Sequence, residues 1–221
     1  MGFLNGIISN FSIQTMLYRA LLLVTLIPVH EYAHAWVAMK LGDRTASGYG
    51  RLQFNPLAHL DPIGSVLMIL TGFGWAKPVP VNAFYFKNRK RDMALTALAG
   101  PAANILFALV MVIFYKLLYF IPVHSQAVYS VLNFMLGIFY GLAVSSVALA
   151  FFNLLPIPPL DGSKIFNAVL PERIYFQIMQ YERYIGIILI IVVVSGLLDG
   201  PLMFLTGAVM KFLDMITFFL G

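Results

Sequence analysis

From Ile13 to Leu41 the chain runs for 29 residues with an apolar side chain at most positions. At 1.5 Å per residue a helix of that length reaches roughly 43 Å, whereas the hydrocarbon core of a bilayer needs only ~30 Å. Two further runs of comparable length follow, from Asp92 to Ile121 and from Ala127 to Phe152. Charged residues make up 10% of the chain and hydrophobic ones 61%, with a mean hydropathy of +0.88. A soluble domain carries about 25% charged residues, so the supply for a wetted surface is missing. Disorder, collagen and coiled coil are excluded by the same apolar, non-repeating character. The expected fold is an all-α polytopic membrane protein.

The first run has no basic start and no small-residue cleavage signal, so it reads as a retained span and not a signal peptide. Between the first and second runs lies a mixed stretch, Gly42 to Arg91, rich in Gly, Pro, Asn and Tyr. Its pieces Gly48–Phe54 and Val79–Phe86 alternate like short strands. Ile63–Phe73 is apolar yet too short to span, which suggests a small β or re-entrant insertion. Asp92 is expected to cap the second span, and Pro122 to stop it. After the third span an amphipathic stretch, Ser163 to Arg183, is expected at the membrane surface. Two C-terminal spans are expected, Tyr184–Leu198 and Pro201–Leu220, hinged at Asp199-Gly200, with Lys211 and Asp214 close enough in sequence to pair. The chain thus reads as one domain over residues 1–221: a three-helix core over about 13–164 and C-terminal helices over about 165–221.

Charge placement sets orientation. The net charge is +5, and eight of the fourteen Lys and Arg lie between Lys40 and Arg91, with three more between Lys164 and Arg183. Cations gathered in loops beside apolar spans mark those loops, 40–91 and 163–183, as cytoplasmic, and the partner they imply is the lipid bilayer, not nucleic acid. Cysteine is absent, which removes disulfides, thiolate metal sites and a Cys nucleophile.

The strongest chemical signal is His30-Glu31-Tyr32-Ala33-His34. Positions i and i+4 stack on one helix face, so both imidazoles can reach a single ion with Glu31 beside it. With four His and three Glu in the chain, a chance match is roughly a one-in-a-thousand event. Two His and a carboxylate give zinc three protein ligands and leave a fourth place for water, whose proton a neighbouring Glu can take. The rival readings are a pair of core histidines, a heme site or a transport site. If Lys40 marks the interface, His34 lies about 9 Å and His30 about 15 Å inside it by helical rise, a depth at which ionisable groups are costly unless they bind something. The third ligand is expected at Asp161, which follows a long apolar span; Pro156, Pro158 and Pro159 are expected to force extended backbone there, and Gly162 a sharp turn. His59 and Asp61 are the competing ligands.

The His-Glu-x-x-His helix, the stretch Asn153-x-x-Pro156-x-Pro158-x-x-Asp161-Gly162 and the element Ala99-Gly100-Pro101 to Asn104 together resemble the site-2 proteases, zinc enzymes that cut peptide bonds within membranes. The resemblance covers about Thr25 to Lys164. His59-Leu60-Asp61-Pro62 and Trp75 to Asn82 are similar to the short prokaryotic branch, without PDZ or CBS domains, which implies a multi-pass protein of a prokaryotic cell membrane. The resemblance implies one Zn2+ per chain held by His30, His34 and Asp161, Glu31 as general base, and membrane proteins as substrates. Asn153 is a candidate oxyanion donor or else a hydrogen-bonded helix-end residue. A substrate helix must unwind before attack, and the backbone around Pro156 and Pro158, or an edge of Gly48–Phe54, is expected to pair with it. His59 is a candidate substrate contact or a partner of the metal ligands. Asn104 is a candidate cross-helix hydrogen bond or substrate contact. Pro28 is expected to free the Val24 carbonyl and bend the first helix, and His124 to be a solvated loop residue. The rival functions, a membrane metal transporter and a catalytically dead scaffold, would need ionisable residues through the later spans or no need of Glu31.

Overall fold

A computed structural model describes residues 12–168, 170–171, 174, 177–178 and 180–220. The chain falls into two compact units, one up to Asp92 and one from Met93 onward. In the first, helix α1 (Ile13–Lys40) carries the long apolar run, starting where Ser12 accepts a hydrogen bond from the Thr15 amide. It continues past the buried Pro28 to Lys40, so the depths reckoned from helical rise hold along one continuous rod. Three short helices follow: α2 (Thr45–Gly48), α3 (Pro56–His59) and α4 (Pro62–Thr71).

The apolar stretch expected around Ile63–Phe73 to be too short to span forms helix α4, of 10 residues. Asp61 caps it through the Gly64 amide and Pro62 opens its first turn, where a missing N–H costs nothing. Its last carbonyls, Ile69 and Leu70, accept hydrogen bonds at 3.2 and 2.8 Å from the Arg19 guanidinium on α1. A cation at a helix C-terminus satisfies orphan carbonyls and the helix dipole together. The chain then returns against α4 with its backbone in contact: a Cβ on Gly64 would stand 2.2 Å from the Trp75 carbonyl oxygen, and one on Gly74 2.1 Å from that of Gly64.

The expected strands are not formed. Among the described residues the insertion holds an isolated antiparallel bridge, Leu60 to Ala76, and no strand. Gly48–Phe54 is the end of α2 and a loop, and Val79–Phe86 is irregular backbone ending in a 3-10 turn, Ala83–Tyr85. Alternation misleads here because Pro78 and Pro80 lack the N–H groups a ladder needs.

The second unit is built on α5 (Arg89–Leu118), α6 (Gln126–Leu154), α7 (Asp161–Asn167), α8 (Glu182–Val194) and α9 (Asp199–Ile216). Helices α1, α5 and α6 are each long and apolar enough to cross a membrane, as the chain of a multi-pass protein requires. The cap of α5 is Asn88, not Asp92. Asn88 accepts the Arg91 amide, and Asp92 in turn accepts the Asn88 amide, a reciprocal box that starts the helix three residues early. Ser146 on α6 donates to the Asn104 carbonyl on α5 at 2.8 Å, tying these two helices at a buried point.

In place of the two expected spans, the C-terminal end holds α8 and α9, broken at Ser195–Leu198 rather than at Asp199-Gly200. They meet the length and apolarity of a span only as a pair, bent by 77°. Asp214 does not take Lys211 as its salt-bridge partner. It pairs at 2.9 Å with the buried Lys116 of α5, whose ammonium also donates to the carbonyls of Asp214 and Thr217. Of the amphipathic stretch 163–183, α7 covers the start and α8 begins at its end, while residues 169, 172–173, 175–176 and 179 lie outside the described residues.

Candidate metal and catalytic site

The sequence motif places both imidazoles on one face of α1, and the helix brings them together. The Nε2 atoms of His30 and His34 stand 3.0 Å apart with the rings nearly perpendicular, at 82°. Both residues are buried, at 6% and 7% exposure. Around a tetrahedral zinc at ordinary Zn–N lengths two such nitrogens would be about 3.3 Å apart. The pair is therefore within a few tenths of an ångström of a bidentate metal grip, and rotation about the side-chain torsions closes the difference. This is the observation on which the fit to zinc rests.

Glu31 lies between the two histidines in sequence and is fixed from another segment. Its Oε2 accepts the backbone N–H of Val79 at 3.1 Å. Val79 belongs to a Pro-interrupted strap, Lys77 to Asn82, which is tied down at two further points. The Lys77 amide donates to the His59 carbonyl at 2.9 Å, and the Asn82 amide donates to Asp43 Oδ2 at 2.7 Å. Sequence reasoning singled out Trp75 to Asn82 only as a likeness; the strap's hold on Glu31 needs the fold.

The competing ligands serve local structure. Asp61 is the cap of α4. His59 is fully enclosed, with its Nε2 donating to the Gln53 carbonyl at 2.8 Å, while Arg51 donates to the Ala58 carbonyl beside it. These bonds close the loop 51–59 upon itself, with the His59 ring inside.

In the second unit Asp161 is the first residue of α7 and is buried at 6% exposure. Its Oδ1 accepts a 3.1 Å bond from Lys164, one turn on and 45% exposed. The residue after it must be glycine for a steric reason: a Cβ on Gly162 would fall 2.3 Å from the carbonyl oxygens of both Leu154 and Leu155. Its φ is not positive, so the expected turn requirement is replaced by close approach of α7 to the end of α6. Between them the chain makes a tight turn whose last residue, Leu160, is extended. The Ile157 amide bonds to the Leu155 carbonyl and the Leu160 amide to that of Ile157. Pro156 is exposed and Pro158 buried on this turn. Asn153 sits in the last turn of α6 and donates through Nδ2 to the Leu149 carbonyl, leaving its second N–H for another acceptor. Asn104 is fully buried on α5, and His124 is exposed in its loop.

Each unit contributes buried donors of the nitrogen and oxygen kind that suits zinc: the imidazoles of His30 and His34 in the first, and the carboxylate of Asp161 in the second.

Comparison with known proteins agrees. The description "Peptidase family M50" matches residues 18–195. Three proteins carry the designation "Putative zinc metalloprotease". YwhC of Bacillus subtilis is 36% identical over 190 residues, 85% of this chain and 84% of its own. Rip2 of Mycolicibacterium smegmatis is 32% identical over 142 residues, 61% of this chain and 50% of its own. MJ0611 of Methanocaldococcus jannaschii is 31% identical over 158 residues, 72% of this chain and 73% of its own. No solved structure matches.

Proposed function

Since the chain belongs to peptidase family M50, the site-2 protease family, we propose that this metalloprotease is an intramembrane endopeptidase, cutting peptide bonds in or near the spans of other membrane proteins. The observation that carries the reading is the buried His30–His34 pair, with Nε2 atoms 3.0 Å apart, on a 28-residue apolar helix. Such a pair on a soluble enzyme would sit on an amphipathic helix; here the surroundings are those of a span.

His30, His34 and Asp161 would hold one zinc per chain, which would supply Lewis acidity for the scissile carbonyl and for a water. Glu31 takes the proton of the attacking water at its carboxylate and later gives it to the leaving amine. Asn153 donates its remaining N–H to the developing oxyanion. The buried setting keeps bulk water from the reacting atoms, which strengthens each of these interactions. Residues 1–221 act as one catalytic domain of a prokaryotic cell-membrane protein, with loops 40–91 and 163–183 in the cytoplasm and with membrane protein substrates as partners. A transporter reading gains nothing from a general base beside the ligands.

The test is incubation of the purified chain in lipid with a panel of membrane-spanning peptides, with and without a zinc chelator. Cleavage inside the spanning segment that stops with chelator and returns with added zinc is the expected result. Chelator-insensitive cleavage, or cleavage confined to soluble peptides, would overturn it. An Asp161→Asn chain that retains one tightly held zinc would remove Asp161 from the ligand set.

A further inference from the structure

We propose that the backbone amide of Val79 is the positioning group for Glu31, holding one carboxylate oxygen so that the other, Oε1, faces the attacking water. This rests on the reading of Glu31 as general base and extends it to a strap nearly fifty residues away in the chain. The contact is a 3.1 Å hydrogen bond from the Val79 N–H to Oε2. A backbone donor suits this task better than a lysine or arginine. It orients the carboxylate without a full positive charge, which would weaken the base.

The strap is constructed to aim that amide. Pro78 and Pro80 flank Val79, and each restricts the residue before it to extended backbone. In extended backbone successive N–H groups point to opposite sides, so Lys77 and Val79 direct theirs the same way. One meets the His59 carbonyl and the other Glu31. The alternate positions are the prolines, which have no N–H to misdirect. Beyond them the Asn82 amide is anchored on the fully buried Asp43. Both neighbouring anchors are independent of Glu31, so the strap stays in place whatever the carboxylate does. That separates a positioning device from a bond that merely forms because two groups are near.

The test replaces the Val79 amide by an ester through incorporation of the α-hydroxy acid, which deletes the N–H with little change in shape; Val79→Pro is a second route to the same deletion. Glu31 is one of three Glu in the chain, so carboxyl-labelled glutamate gives an infrared band for Glu31 as the difference between the wild type and Glu31→Gln. The expected result is a displaced Glu31 carboxylate band, in zinc-free as well as zinc-loaded protein. It is accompanied by a kcat lower by about 10- to 100-fold, with KM within about 2-fold and zinc content unchanged. The same ester at Lys77 leaves the band in place. An unmoved band at the Val79 ester, unchanged kcat, or an equal shift from the Lys77 ester overturns the proposal. Cleavage by Glu31→Gln at the wild-type rate would instead refute Glu31 as the base, while the band would still report on the Val79 contact.

Discussion

The first unit and the C-terminal end of the second satisfy their charged groups by different means. Before residue 93, the carboxylates of Glu31, Asp43, Asp61 and Asp92 each accept a backbone N–H, from Val79, Asn82, Gly64 and Asn88. Among the described residues neither Glu31 nor Asp43 has a cation for a partner. At the other end, Lys116 is buried and neutralised by Asp214, with two carbonyls completing its shell. An ion pair cancels charge and stabilises a packing arrangement. A peptide N–H leaves the charge in place and fixes its direction. Backbone amides thus orient Glu31 and Asp43 without neutralising them, whereas Asp214 silences a lysine that the span must accommodate.

That contrast can be broken by substitution. Glu31→Gln has the largest expected effect: activity on a membrane-spanning peptide falls by roughly 10³-fold, while thermal stability and zinc content stay near wild type, because the amide oxygen still accepts the Val79 N–H. Loss of zinc together with activity would show that Glu31 is structural. Asp43→Asn comes next. Asp43 is fully buried and accepts the Thr45 amide and hydroxyl and the Asn82 amide, so an NH2 in place of one oxygen must confront a donor. About 2 kcal/mol of stability should be lost in detergent unfolding, with the strap loosened. Asp214→Asn should cost least, about 1 kcal/mol, since Asp214 is largely exposed and Lys116 keeps its two carbonyls. A larger loss than for Asp43→Asn would reverse the comparison.

Much of the architecture is legible because membranes allow few solutions. The expected spans at 13–41, 92–121 and 127–152 appear as α1, α5 and α6, shifted by three residues or fewer at each end. The His30–His34 pair is equally legible, since a spacing of four on a helix places two rings together regardless of what surrounds them. Sequence reasoning failed where partners are remote. Lys211 was the natural mate for Asp214 at a spacing of three, yet Lys116 wins from 98 residues away because it is buried and has no water to lose it to. Short-range alternation suggested strands at 48–54 and 79–86, but the prolines in the second turn it into a strap that gives up its amides singly.

By itself the sequence determined that this chain lives in a bilayer, where its long helices run, and that two imidazoles share one face of the first of them. These follow from local periodicity and from the cost of an unsatisfied backbone in lipid, both read residue by residue. Only the tertiary structure decided that Val79 holds Glu31, that Gly162 is needed for closeness to the Leu154 and Leu155 carbonyls, and that Lys116 answers Asp214. The first and last of these join groups tens of residues apart, and the Gly162 contact depends on how the chain turns back on itself. Backbone amides and carbonyls are the same at every position, so nothing in the sequence marks which of them a distant side chain will find.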